Sequence, residues 1–509
     1  MVLHHATPLG ALTVRAVHNT LHGGDTARVV KQSLRDGMRK QIITDADERS
    51  AVASVVFGTA CLRARLAWMV AQAAPTGTLQ LQTAATAAER RELAAALLVA
   101  AFLLHEKPQR ARASVVSELL PATSLGLTSE AINCVATLDL NTMRWPSAPV
   151  PQLATRYSLP CGLARLFLRR LPSESEEAAA LAAAFNTPGP VTLRANLHVL
   201  PRRESLLESL EESLGGSVTR RSGRLSPWAI HLDAAARSDW GGSVWSLGPW
   251  QRGEFEVQDE GSQCVALACE AAKGDTVLDY CAGNGGKTLA LAALLGSAGR
   301  VLAHDVVEPR LAALRASAGR AGVASIVETL ATGGEDGDGA LGGSIDAAPN
   351  ALRAASAAYA PSGFDVILVD APCSSCGVLR RHPGLRWARG ASWRGTASAA
   401  GGGRISSGEL GYPSLQLRLL RHAATLVKPG GRLVYATCSL DDAENEGVAR
   451  AFEEEEAESA ATAEVAFAPW PFEDSVAGRH SEATHFRTLW PHRHGTDGFF
   501  IARWRRRVQ

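Results

Sequence analysis

Apolar residues recur at three- and four-residue spacing over residues 26–38 and 47–71, and residues 88–104 are apolar nearly all round. These patterns predict two amphipathic helices and one buried helix. Residues 121–151 mix prolines, glycines and polar residues, which predicts a connecting segment. From Tyr157 the character changes. Residues 163–171 and 203–214 read as helices, and short strands are expected at 191–196, 228–232 and 253–257. Beyond Gly261, buried-type strands at 276–280, 300–305, 326–330, 364–370 and 432–437 alternate with helical stretches at 288–295, 309–321 and 414–427. Such alternation predicts an α/β domain with a parallel, Rossmann-like sheet covered on both faces. Residues 332–362 and 388–411, rich in Gly, Ala, Ser and Asp or Arg, read as surface insertions, partly disordered. The expected division is a helical domain over 1–125, a linker over 126–155, an α+β module over 156–255 and the α/β domain over 256–509.

Composition narrows the partners. The 509 residues are 46% hydrophobic and 20% charged, enough for several cores. The longest uninterrupted apolar run, residues 93–104, is too short to span a bilayer, so no membrane partner is expected. Nine cysteines, a sparse and odd set, do not form a disulfide framework, and a reducing compartment is the expectation. The first 24 residues carry neither an acidic residue nor a long apolar stretch. A secreted location is therefore not expected, and cytoplasmic and organellar ones stay open. Lys+Arg 52 against Asp+Glu 51 gives a net charge of +1, which excludes a global polycation. Only six of those 52 basic residues are lysine. Basic residues still cluster at 202–203, 220–224, 380–394 and 503–507, while the acidic run 453–456 reads as a solvated helix face.

Two constellations carry candidate chemistry. Leu278-Asp-Tyr-Cys-Ala-Gly-Asn-Gly-Gly-Lys-Thr288 follows the first buried strand and opens a helix. Its glycines let backbone approach a ligand, the helix N-terminus offers free N–H groups, and Lys287 adds a positive charge. Asp305 ends the next strand, where a carboxylate can accept hydrogen bonds from ribose hydroxyls. Together they describe a site for an adenosine-containing ligand; a glycine turn that merely packs strand on helix is the plainer reading. The second constellation is a pair of strand ends. Residues 364–374 deliver Asp370 and Cys373 to the carboxyl edge of the sheet, and residues 433–439 deliver Cys438. A thiolate near positive charge is a nucleophile, whereas a single cysteine is most often core filling. Two thiols placed so similarly favour chemistry. Cys373 and Cys376 form a Cys-x-x-Cys pair with no second pair, so no metal is expected.

Asp279-Tyr-Cys-Ala-Gly-Asn-Gly-Gly-Lys-Thr288, Asp370-Ala-Pro-Cys-Ser-Ser-Cys-Gly-Val-Leu-Arg-Arg-His-Pro383 and Tyr435-Ala-Thr-Cys-Ser439 resemble the Nol/Nop/Sun family of RNA cytosine-5 methyltransferases. Asp441-Asp-Ala-Glu-Asn-Glu446 and His494-Gly-Thr-Asp-Gly-Phe-Phe500 fit the same pattern. The chain is most similar to the bacterial 16S ribosomal RNA methyltransferase B type, which carries an N-terminal NusB-like domain. Ser54-Val-Val-Phe-Gly-Thr-Ala-Cys-Leu-Arg63 resembles a helix of that domain, and Leu193-Arg-Ala-Asn196 resembles part of the family's RNA-binding module. The resemblance implies S-adenosylmethionine as cofactor, its methionine part held by Cys281, Ala282, Gly283, Asn284, Gly285, Gly286 and Lys287 and its ribose by Asp305. It implies Cys438 as nucleophile, Cys373 as the thiol assisting release of the methylated base, and Asp370 in contact with cofactor or cytosine. It also implies an RNA partner, with Arg194, Arg380 and Arg381 as contacts, and a monomer is expected. Gly283-Asn284 replaces the family's Ala-Pro, and Gly384 replaces an aspartate. The adenine-facing acid expected near Leu330 and Ala331 is missing, with Asp336 or Asp338 as substitutes. Two other readings are a non-catalytic RNA-binding or assembly factor and a DNA cytosine methyltransferase. Both thiols being intact opposes the first, and the Thr-Cys thiol opposes the second.

Overall fold

The C-terminal part of helix Ala87–His105 lacks a polar stripe because residues 95–102 are packed on every side: Ala95, Leu97, Ala100 and Phe102 are all buried. It lies at the centre of a unit formed by Met1–Pro188 and Leu379–Ala400; a second unit comprises Gly189–Val378 and Gly401–Gln509. This computed structural model describes residues 12–14, 16–17, 19, 26–44, 46–73, 87–105, 129–171, 175–214, 220–232, 244–333, 348–388, 411–460, 467–473 and 484–508.

In the first unit, helices Ala46–Cys61, Arg63–Ala73 and Ser129–Ala136 pack around the central helix. The sequence pattern reads as one helix over 47–71, yet the structure bends it by 79° at Leu62. A new N-terminus begins there because the Ser158 hydroxyl accepts from the Ala64 amide at 2.7 Å, satisfying a donor the break releases. Gly58 permits close packing, since a Cβ there would lie 2.2 Å from the Phe102 ring. Helices Pro149–Tyr157, Cys161–Arg170 and Ser175–Asn186 pack on one another in this same unit. Residues 156–188 therefore lie with the helices and not with the α+β module, and the expected linker contains the helix Ser129–Ala136.

The short segment 379–388 completes this unit. Arg386, fully buried, donates to the carbonyls of Cys61 (3.1 Å), Ser158 (3.2 Å) and Phe185 (3.1 Å) and to Asn186 Oδ1 (2.8 Å). Trp387 Nε1 donates to the Ala60 carbonyl at 3.1 Å. Among the described residues, no single helix is long and apolar enough to cross a membrane.

The second unit opens with four antiparallel strands, β1 (Val191–Ala195), β2 (Arg220–Ser222), β3 (Ala229–Leu232) and β4 (Phe255–Val257), in the order β2-β3-β1-β4. Helix Arg203–Leu214 lays Leu206 and Leu210 against Leu193, Ile230 and Phe255. An eight-stranded sheet follows: β5 (Thr276–Asp279), β6 (Arg300–Asp305), β7 (Val327–Ala331), β8 (Phe364–Asp370), β9 (Val427–Thr437), β10 (Phe467–Pro469), β11 (Phe486–Leu489) and β12 (Phe499–Arg506). Its order is β10-β12-β9-β8-β5-β6-β7, with β11 beside β12. Strands β5 to β9 pair in parallel, and β12 runs antiparallel to β9, β10 and β11. This is a mixed α/β fold with a mostly parallel, Rossmann-like sheet.

One expected insertion is partly core. Helix Ala348–Tyr359 buries Leu352 and stacks Tyr359 on Phe364 at 6.1 Å. Its alanine-rich composition hid the apolar stripe. Residues 334–347, including Asp336 and Asp338, and residues 389–410 lie outside the described residues.

Candidate active site

Chain order reverses at β5, whose neighbours are β6 on one side and β8 on the other. At such a switch point the loops leaving the two central strands diverge and open a crevice. The glycine loop leaves β5 and the Asp370–Cys373 segment leaves β8, so the fold brings the two sequence constellations together. Lys287 Nζ joins them, 2.5 Å from Asp370 Oδ2, with its ammonium over the Phe499 ring at 5.4 Å. Burial opposes the charge on Lys287, but Asp370 overrides it and holds the ammonium above its ordinary range.

The loop is shaped by backbone need. Gly283 and Gly285 have φ of 55° and 86°, conformations that favour glycine. A Cβ on Gly285 would lie 2.0 Å from Leu314 Cδ1, whereas one on Gly283 would meet nothing within 4 Å. Gly283 thus presents bare backbone to open space. Asp305 Oδ2 accepts from its amide at 2.9 Å, and Oδ1 accepts from Val307 at the same distance. A carboxylate has lone pairs beyond those two bonds, so Asp305 can also receive ribose hydroxyls. The N-terminus of helix Gly286–Leu295 completes a cradle for a negative group. Beneath it, burial pushes the Asp279 carboxyl up to about 7, against the 2.6 Å hydrogen bond from Thr288.

The thiols meet across β8 and β9. Cys373 Sγ and Cys438 Sγ are 3.4 Å apart, and Ser375 Oγ is 3.6 Å from Cys438. Ser375 holds φ of 60°, an uncommon conformation for a residue with a Cβ. The hydrogen bond with Cys373 lowers the Cys438 thiol, helped by Ser375 and Lys287 against burial and Asp370. The same bond, with burial, pushes Cys373 well up. The two thiols are therefore unequal: Cys438 loses its proton more readily than Cys373. Cys376, fully buried, accepts from the Leu440 amide at 3.0 Å and packs within the loop.

A family model described as 16S rRNA methyltransferase RsmB/F matches residues 266–392 and 404–505. The protein named "Probable ribosomal RNA small subunit methyltransferase B" of Bacillus subtilis is 31% identical over 368 residues, covering 70% of this chain and 69% of that one. The chain belongs to the RsmB/F family of 16S rRNA methyltransferases. A protein of the same printed name from Synechocystis is 30% identical, covering 69% of this chain and 67% of its own. The crystal structure of PH0851 matches 98% of the chain with a TM-score of 0.63 at 22% identity, covering 99% of PH0851. A methyltransferase homolog from Pyrococcus horikoshii matches 71% with a TM-score of 0.50 at 24% identity, covering 99% of its own length. These two likenesses concern the fold. As an RsmB/F methyltransferase the chain acts on ribosomal RNA and uses S-adenosylmethionine, a group that the open glycine, the helix N-terminus and Asp305 fit.

Arg194, expected in contact with RNA, is only 2% exposed in this RsmB/F chain. It donates to Gln258 Oε1 and to the Gly286 carbonyl, both at 2.7 Å, so it braces the glycine loop from behind. Next to it, Asn196 Nδ2 donates to the carbonyls of Gly253 and Ala321 at 2.8 and 2.9 Å. Arg380 and Arg381 are half-buried and lie in the segment that joins the first unit. Among the other basic clusters, Arg503 is buried, donating to the Ala268 carbonyl and Glu270. Arg221 and Arg224 are exposed. Ser375 and Phe499 went unremarked in the sequence as site residues, because neither residue type announces chemistry. Among the described residues, no cluster of His, Cys, Asp or Glu is arranged to hold a metal.

Proposed function

We propose that this RsmB/F methyltransferase transfers a methyl group to carbon 5 of a cytosine in ribosomal RNA through a covalent bond to Cys438. The observation that carries this reading is the unequal pair of thiols 3.4 Å apart beside the glycine loop. Carbon 5 of cytosine is a poor nucleophile until a thiolate adds to carbon 6 and makes the ring enamine-like. Cys438 supplies that thiolate. Bound S-adenosylmethionine supplies an electrophilic methyl on a sulfonium centre. Cys281 to Lys287 and Asp305 hold the cofactor, and Asp370, anchored by Lys287, faces the cofactor or the pyrimidine ring. Water in the crevice then takes the carbon-5 proton, the C–H electron pair restores the ring double bond and the carbon-6–sulfur bond breaks, and the Cys373 S–H stabilises the departing Cys438 thiolate by a hydrogen bond. The target base must be unpaired or flipped to reach the thiol.

The rest of the chain serves RNA delivery in this reading. The helical unit acts as a NusB-like domain, and the module carrying Arg221 and Arg224 contacts phosphates. Arg380 and Arg381 add to the RNA surface from the segment after Cys376. The protein works as a monomer in the compartment, cytoplasmic or organellar, where small ribosomal subunits mature.

The test is methyl transfer from labelled S-adenosylmethionine to small-subunit ribosomal RNA, with the product base identified. Cys438→Ala is expected to abolish transfer, and Cys373→Ala to accumulate a covalent RNA adduct. Undiminished transfer by Cys438→Ala, or methylation of any base other than cytosine, sinks the reading.

A further inference from the structure

The turn after β9 contains two adjacent buried residues, Glu444 (4% exposed) and Asn445 (0%), that the chemistry above does not use. Their partners are the chain neighbours of the two thiols. Glu444 Oε2 accepts from the Ser374 amide at 2.8 Å, directly after Cys373. The same oxygen accepts from Gln416 Nε2 at 3.1 Å, and Gln416 Nε2 also donates to the Pro372 carbonyl at 2.9 Å, directly before Cys373. Asn445 brackets the other thiol in the same way. Its Oδ1 accepts from Thr437 Oγ1 at 2.6 Å, and its Nδ2 donates to the Ser439 carbonyl at 3.0 Å. Glu444 Oε1 then ties the halves together by accepting from Ser439 Oγ at 3.2 Å, and that hydroxyl lies 3.0 Å from Ser374 Oγ.

We propose that Glu444 and Asn445 form a positioning clamp that fixes the spacing of Cys373 and Cys438. One dipeptide holds both flanks of Cys438 and the flank after Cys373 directly, and the flank before Cys373 through Gln416, so the distance between the sulfurs is set by side chains that never touch substrate. Backbone bonds supplement it: the Gly377 amide donates to the Cys438 carbonyl at 2.9 Å, and Gly498 to the Gly377 carbonyl at 2.8 Å. Sulfur separation decides whether Cys373 can donate to Cys438, and that bond decides which thiol is the nucleophile. The clamp thereby sets the division of labour between two otherwise similar residues. The inference rests on the covalent reading above for its purpose, but the thiol spacing stands on its own geometry.

The test reads the thiol without RNA or methyl transfer, so its result is independent of the substrate base. The rate of Cys438 alkylation by iodoacetamide, followed by peptide mass spectrometry, is measured against pH in the full chain. The charged and titratable groups facing Cys438 are Cys373, Asp370 and Lys287, and Glu444 acts on Cys373, whose thiol its charge raises; loss of that charge alone would move the thiols down, opposite to loss of the clamp. Glu444→Gln places an amide where two donors point. It is expected to move the alkylation midpoint to higher pH and to slow alkylation at neutral pH about tenfold. Ser439→Ala, which deletes one hydroxyl, is expected to move it the same way by less. Repeated with Cys373→Ala, Glu444→Gln is expected to add almost nothing, because the partner through which the clamp acts is gone. A midpoint unmoved in both clamp variants overturns the proposal. So does a full shift that persists without Cys373.

Discussion

At the scale of single residues, function lies in how charges are divided among neighbours. Cys438 is lowered by the Cys373 hydrogen bond first, then by Ser375 and Lys287, while burial and Asp370 act against it. In the proposed covalent reaction the reactive form is the deprotonated one, so activity is expected to rise with pH through the thiol's own titration. Its depression places that acid limb below the ordinary thiol range, around 8.5. Lys287→Met removes a positive charge and strips Asp370 of its partner, both of which disfavour the thiolate. The acid limb of kcat/KM is expected to move up by about one pH unit, with roughly tenfold lower activity at neutral pH. A limb unmoved in pH-rate profiles would remove Lys287 from the thiol's electrostatics. The candidate site was legible here because cysteines, aspartates and a rare lysine stand out against an arginine-rich background. Ser375 and Phe499 were not, since they enter the site only through distances, and the separate roles of the two thiols were implied by the family resemblance alone.

At the scale of elements, β5, β6 and β8 were readable because each carries a short apolar run ending in aspartate. By contrast β7, expected as a buried strand, is an edge strand of sequence Val-Glu-Thr-Leu-Ala with none of its residues buried. The helix Ala348–Tyr359 was not readable, because alanine-rich sequence carries little contrast between its faces. Arg194 shows a second kind of failure. A basic residue in a family motif suggests a surface, yet β1 turns it inward onto the Gly286 carbonyl. Arg194→Ala leaves that carbonyl and Gln258 without their charged donor, a loss of about 1.5–3 kcal/mol at the loop. The expected outcome is a KM for S-adenosylmethionine raised roughly tenfold or more, with the KM for RNA little changed. The reverse pattern in steady-state kinetics would return Arg194 to the RNA surface. Gly285→Ala is expected to be more severe, since its Cβ would lie 2.0 Å from Leu314 Cδ1 and its φ is 86°.

At the scale of the whole molecule, the helical unit is discontinuous in sequence. Composition located its helices but could not show that residues 379–388 belong to it, because one arginine within a basic run looks like any other. Arg386 satisfies three carbonyls and an amide oxygen of that unit. Arg386→Ala is expected to destabilise it by about 3–5 kcal/mol, because buried acceptors lose a charged donor. Thermal unfolding followed by circular dichroism checks this, and an unchanged midpoint would refute it. The arrangement also puts a clock into biosynthesis. Asn186 and Arg386 are 200 residues apart in sequence. At roughly 5–20 residues per second, the ribosome delivers the second about 10–40 seconds after the first. Through that interval the nascent helices wait without the arginine that satisfies their carbonyls, and the Cys61 carbonyl, 325 residues from Arg386, waits longer still.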